Sequence, residues 1–270
     1  RTAQVGGGAG LLLAALATIC PPSVIVPLAV AGGVAVAGVL SAYFARTFSP
    51  RTIFSKCPLL IRLPRSGGNA VALTFDDGPH PDTTPRILDA LAVAGARATF
   101  FVVGERATQY PEIVRRIMRE GHTIGIHGLR HRTMVLQSEK EIERGLKEAL
   151  MRIEQAAGEK LPRPLLLRPP YGFKTRTLAR TAQRLGFVTV AWSLDPRDYD
   201  PTDTETLTAK VMGLLTPGDI VLLHERPEVP AAAAALPQLL ACCREKGLSP
   251  IGLIAVADLF HHPPAQTADG

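Results

Sequence analysis

The apolar run VALTF ends on two adjacent carboxylates, Asp76 and Asp77, in the stretch VALTFDDGPHP from Val71 to Pro81. Like charges so close repel one another, so the pair needs a reason to exist. Farther along, His127 and His131 bracket HGLRH, Arg168 opens RPPYG, Asp195 and Asp198 stand in DPRDY, and His224 ends DIVLLH. One carboxylate oxygen with two imidazole nitrogens suits zinc, or a related first-row divalent ion such as cobalt, with a position left open for water. The i, i+4 spacing of His127 and His131 lets both rings meet one ion if that segment turns helically. Consecutive side chains at a strand end point apart. One aspartate can therefore bind the ion while its neighbour takes a proton from the attacking water, and the cation offsets their repulsion. An arginine near that base keeps it ionised, and an acid such as His224 can protonate a leaving nitrogen.

Taken singly, each motif has a plainer reading. DDGP is a turn, HxxxH is a pair of surface histidines, RPPYG is a rigid proline loop, and His224 is a core histidine. Their placement along the chain changes the balance. Short apolar runs recur at VALTF (71–75), ATFFVV (98–103), HTIGI (122–126), PLLLR (164–168), FVTVAW (187–192), DIVLL (219–223) and PIGLI (250–254). Continuous rather than alternating hydrophobicity predicts parallel strands covered on both faces. Amphipathic helices are expected between them. Thr84-Pro85 reads as an N-cap and first helical residue, Ser138 with Glu141 as a capping box, and Gly158 as a helix stop. Repeated βα units predict a distorted (β/α)7 barrel, whose chemistry gathers on loops after the strand C-termini. Asp76 and Asp77, the histidine pair, Arg168, the DPRDY aspartates and His224 all fall at such ends. His80, His122, His261 and His262 take the structural reading.

Five ordered motifs, TFDDGP (74–79), HGLRH, RPPYG, DPRDY and LLH (222–224), resemble those of the NodB-like polysaccharide deacetylases, carbohydrate esterase family four, over Ala70 to Phe260. The resemblance implies a NodB homology domain that removes N-acetyl groups from amino sugars with a divalent metal. It implies Asp76 as base, Asp77, His127 and His131 as metal ligands, Arg168 as partner of Asp76, and Asp198 as the group that orients the acid His224. Pro170 and the backbone of Tyr171 would serve the oxyanion, Leu222 the acetyl methyl group, and Tyr199 the groove wall. Gly128 departs from the family, which usually has Ser or Thr after the first metal histidine. A missing hydroxyl there is expected to loosen the loop or weaken metal affinity about tenfold to a hundredfold. Tyr199 stands where Trp is common and keeps an aromatic.

The chain has 270 residues, enough for a sizeable core, and a net charge of +6. No charged residue lies between Thr2 and Ala45. Val24 to Ala45 spans 22 residues, enough at about 1.5 Å per residue to cross a hydrocarbon layer of roughly 30 Å. The expected organisation is a membrane anchor over 1–46 (one span or a hairpin), a basic juxtamembrane linker over 47–69, the deacetylase domain over 70–260 and a loose tail over 261–270. Arg46, Arg51, Lys56, Arg62 and Arg65 precede the first acidic residue and suit anionic headgroups, so the net charge does not call for nucleic acid. They point inward by the usual charge rule, whereas a polysaccharide substrate puts the domain outside the cytoplasm. The four cysteines form no CxxC and no disulfide framework. Expected partners are the membrane and an N-acetylated glycan of chitin or peptidoglycan type. One alternative is deacetylation or deformylation of a lipid-phosphate-linked sugar; another, of a different class, is a non-catalytic glycan-binding membrane protein.

Overall fold

A computed structural model describes residues 57, 59–64, 67–172, 174–200, 203–228 and 230–254. The expected anchor, most of the linker and the tail lie outside the described residues. Among those described, no helix is long and apolar enough to cross a membrane.

Eight strands form the sheet: β1 (Leu59–Leu60), β2 (Ala70–Asp76), β3 (Thr99–Val102), β4 (Thr123–Ile126), β5 (Leu165–Leu167), β6 (Phe187–Val190), β7 (Ile220–His224) and β8 (Ser249–Pro250). Neighbours run β1-β6-β5-β4-β3-β2-β7, with β8 beside β2, and every ladder is parallel. Bridges Arg62↔Asp219, just past β1, and Leu194↔Val221, just past β6, link that side of the path to β7, so the sheet curls into a distorted barrel. The helices are α1 (Thr84–Ala94), α2 (Gly104–Gln109), α3 (Pro111–Arg119), α4 (Glu139–Ala157), α5 (Arg176–Arg184), α6 (Thr204–Leu214) and α7 (Ala231–Glu245).

Strand periodicity sorts the side chains into two cores. Val71, Leu73, Phe75, Phe100, Val102, Ile124, Ile126, Leu165, Leu167, Val221 and Leu223 join the helix-facing core. Ala70, Ala72, Phe101, Leu166, Val188, Val190 and Ile220 form a second cluster inside the barrel. Continuing each strand by steps of two along that inner face reaches Thr74 and Asp76 on β2, His127 just past β4, Arg168 past β5, and Leu222 and His224 on β7. The polar residues thus replace apolar ones at one end of the inner core. At its centre Gly125 leaves room for Phe101, whose ring a Cβ on the glycine would approach to 2.5 Å.

Three expectations change. PIGLI contributes only Pro250 to a strand, because Leu253 and Ile254 give their backbone N–H groups to the hydroxyls of Thr99 and Thr123. The barrel gains β1 instead, from the segment read as linker. Thr84 begins α1 rather than capping it; the cap position is Thr83, and neither hydroxyl bonds a helix N–H. Ser138 and Glu141 do form a reciprocal capping box ahead of α4, and Gly158 closes that helix at φ 82.

Candidate active site

Arg168 is fully buried. Its Nη1 donates to Asp76 Oδ1 and to Thr74 Oγ1, each at 2.7 Å, and its Nη2 donates to the Ala191 carbonyl at 2.9 Å. The guanidinium lies 4.1 Å from the centre of the Phe101 ring. Two opposite charges out of water need such geometry, because only mutual attraction and further hydrogen bonds repay their desolvation. Asp76 is thereby fixed with Oδ1 on the arginine.

Asp77 turns the other way. Its backbone φ is 74, a left-handed value rare for a residue with a side chain. Its Oδ1 lies 3.3 Å from His127 Nε2 and 3.0 Å from His131 Nε2. His127 Nδ1 sits 2.7 Å from the Arg168 carbonyl; since a carbonyl only accepts, Nδ1 carries the proton and Nε2 presents a lone pair. These three ligand atoms lie within 4.8 Å of one another. Asp77 Oδ1 is buried and has no hydrogen-bond donor aimed at it. Acceptors converging without a donor are what a divalent cation satisfies, so the residues fit the expected metal, and the set of one carboxylate and two imidazoles suits zinc. Burial alone would raise the Asp77 pKa, yet the two imidazoles of His127 and His131 beside it hold it far below the usual carboxylate range.

HGLRH does not turn helically. Gly128 takes φ 84, and a Cβ there would stand 3.0 Å from Met134 Cε and 3.2 Å from the Arg130 carbonyl oxygen. The loop is pinned by its backbone: Gly104 N–H donates to the Gly128 carbonyl at 2.9 Å and Glu105 N–H to the Leu129 carbonyl at 3.0 Å. Those donors belong to the first turn of α2, so a helix start does the holding that a hydroxyl was expected to do.

Across the cleft, Asp198 is fully buried. Its Oδ2 accepts the His224 backbone N–H at 2.8 Å, and its Oδ1 lies 2.7 Å from His224 Nδ1. Burial lowers the His224 pKa, but the Asp198 hydrogen bond and the charges of Asp198, Asp76 and Asp77 together raise it above 6.5. Tyr199 stands edge-on to His224, 5.4 Å between ring centres, and its hydroxyl donates to Asp195 Oδ2 at 3.1 Å. Tyr171, at φ 60 in a short turn, covers His131 at 4.5 Å.

Between these groups lies a cleft of about 270 Å³ lined by Asp76, Asp77, both histidines, Tyr171, Asp195, Tyr199, Leu222 and His224. Pro170 is buried and does not line it; its ring packs near Gly128. Two further lining residues, Trp192 and Arg226, were not singled out from sequence. Arg226 Nε lies 3.1 Å from Asp77 Oδ2. Its sequence signal is its position two residues after His224, at a strand end where polar residues of a parallel barrel gather.

A family model described as polysaccharide deacetylase matches residues 64–190. A chitooligosaccharide deacetylase of Bradyrhizobium sp. (strain ANU 289) is 38% identical over 160 residues, covering 59% of this chain and 72% of that protein. A peptidoglycan-N-acetylglucosamine deacetylase of Bacillus cereus (strain ATCC 14579) is 38% identical over 176 residues, covering 63% of this chain and 81% of that protein. The chain belongs to the polysaccharide deacetylase family. It is an enzyme of that family, a hydrolase of amide carbon–nitrogen bonds. A solved peptidoglycan N-acetylglucosamine deacetylase superposes with a TM-score of 0.72 at 32% identity, over 78% of this chain and 97% of that one. The same fold is seen in a pseudoenzyme of carbohydrate esterase family four from Bacillus anthracis, at 24% identity and a TM-score of 0.67, over 74% of this chain and 69% of that one.

Proposed function

We propose that this chain is a metal-dependent deacetylase that removes N-acetyl groups from the amino-sugar residues of a chitin- or peptidoglycan-type glycan. The observation that carries this reading is the arrangement around one cleft: a base held by a buried arginine, an acid held by a buried aspartate, and a ligand set between them. The named activities of the deacetylase relatives support the glycan class.

Asp77, His127 and His131 would hold the ion, which when bound polarises the amide carbonyl and eases deprotonation of water. Asp76 accepts the proton of the attacking water; with Oδ1 engaged by Arg168, its free Oδ2 is the accepting atom. As the water oxygen bonds to the carbonyl carbon, charge develops on the amide oxygen, where the Tyr171 backbone N–H contributes a donor. His224, its Nδ1 engaged by Asp198, delivers the Nε2 proton to the sugar nitrogen as the carbon–nitrogen bond breaks. The products are acetate and a free amine. Leu222 supplies the apolar wall for the methyl group.

The charge-free stretch 2–45 supports a membrane-held enzyme, and a polymeric glycan substrate supports an extracytoplasmic catalytic domain. Acetate release from N-acetylglucosamine oligomers tests the catalytic reading. Wild-type protein should turn over, and Asp76→Asn or chelation should lower the rate by about 10²-fold or more, as expected for loss of a general base. Release indifferent to both treatments, or no release from metal-loaded protein, overturns it; the second outcome restores the glycan-binding alternative.

A further inference from the structure

Glu225 follows the acid His224, is fully buried, and has no task in the reaction above. Its backbone N–H donates to the Asp76 carbonyl at 3.0 Å. Its backbone carbonyl accepts the Thr83 hydroxyl, and its Oε2 accepts the hydroxyl of Thr84. Thr84 Oγ1 in turn accepts the His80 backbone N–H at 2.8 Å. The carboxyl lies against Gly78, where a Cβ would come within 1.9 Å of Glu225 Oε1. One residue thus reaches the beginning, middle and end of the loop from Asp76 to Thr84.

That loop contains the left-handed Asp77. A residue with a side chain keeps such a backbone only where its surroundings over-determine it. If Asp77 relaxes to an ordinary φ, its carboxylate swings away from the two imidazoles. The Glu225 carboxyl fills the space below the turn and also accounts for the hydroxyls of Thr83 and Thr84, which cap no helix N–H.

A carboxylate beside Asp76 and Asp77 would add a third negative charge, but the setting favours the neutral acid. Oε1 is buried without a hydrogen-bond partner. Burial foremost, then the charges of Asp77 and Asp76, push the Glu225 pKa up to about 8, against the opposing effects of Thr84 and Arg106. An uncharged group can fill this space without the desolvation cost of an ion.

We propose that Glu225 is a positioning residue: from the end of β7 it clamps the Asp76–Thr84 loop so that Asp77 keeps the backbone that aims its carboxylate at His127 and His131. The proposal rests on the metal-dependent reading above. Its test is the affinity of the purified full chain for Zn2+, measured by competition with a chromophoric chelator, alongside kcat and KM on N-acetylglucosamine oligomers. Glu225→Ala, which empties the space under Gly78, should weaken Zn2+ binding by about tenfold to a hundredfold, the usual range when a group supporting a ligand is lost. It should lower kcat with KM nearly unchanged. Glu225→Gln, an isosteric neutral group, should stay within about threefold of wild type on both counts. Thr84→Val, which deletes the anchoring hydroxyl, and Glu225→Asp, one methylene too short to reach it, should fall between. Wild-type Zn2+ affinity in the Ala, Asp and Val variants overturns the proposal, as does a Gln variant as impaired as Ala. Should the Ala protein fail to fold, the Asp and Val variants decide on the same readout. Wild-type protein that binds Zn2+ but hydrolyses no glycan would refute the deacetylase reading and leave the Glu225 test intact.

Discussion

At the scale of single residues, a buried partner fixes each of two groups that flank the cleft: Arg168 holds Asp76 and Asp198 holds His224. Asp198 holds His224 Nδ1 at 2.7 Å and, with the other carboxylates, raises its pKa above the ordinary 6.5. The sign of the consequence follows. A histidine whose folded pKa is raised favours the folded state fully below 6.5, and that contribution is lost as pH climbs through the folded value. In the proposed reaction, a protonated His224 persists to higher pH than a free histidine would allow. Asp198→Asn should therefore move the alkaline limb of the kcat–pH profile to lower pH, and an unmoved limb would assign that limb to another group. His224→Ala should lower kcat by about 10² to 10⁴, the range for a general acid. Gly128 yields a different expectation. With φ 84 and the Arg130 carbonyl 3.2 Å from any Cβ, Gly128→Ser puts a side chain into a left-handed backbone at a cost of about 1–2 kcal/mol. Denaturant unfolding should show that loss, and zinc titration should show no gain from the restored hydroxyl.

At the scale of elements, what the sequence disclosed depended on how local the cause was. Ser138 and Glu141 form their box from residues three apart, so the pattern was readable and its energy is testable. Ser138→Ala should cost about 1 kcal/mol in urea unfolding without touching kcat, because no residue of α4 lines the cleft. Six β-branched and aliphatic runs became β2 to β7 because a strand buried on both faces needs little but apolar side chains. β1 was missed: Leu59-Leu60 is too short to carry a period and sits in a basic segment, and it becomes a strand only by lying beside Thr189 and Val190. PIGLI misled for the converse reason, since Leu253 is buried and Ile251 packs against the inner cluster while two of its N–H groups go to threonine hydroxyls on β3 and β4. The helical turn expected of HGLRH failed on one glycine, and the contacts of Glu225 emerge only when β7 is set beside β2.

At the scale of the whole molecule, the inward-facing register of the strands was implicit in the runs themselves, whereas their order round the barrel and the closure between β1 and β7 depend on distant pairings. Direct pairing of β2 with β7 sets their ends side by side, and the convergence of β2 with the end of β4 makes the ligand set a property of the folded chain alone. Asp77 lies fifty residues before His127, and only the sheet places Asp77 Oδ1 3.3 Å from that ring. An ion bound there engages the folded state and has little hold on the unfolded one, so it stabilises by mass action. At free zinc about 100 times Kd, the gain should be about 2.7 kcal/mol, visible as a Tm that rises with zinc and falls with chelator. His131→Ala removes one ligand and leaves the barrel intact, because that ring is partly exposed at the cleft mouth. Its Tm without metal should match that of wild type, and its response to zinc should be much reduced. A full zinc-dependent shift in His131→Ala would mean the ion is held elsewhere and that Asp77 and His127 meet for another reason.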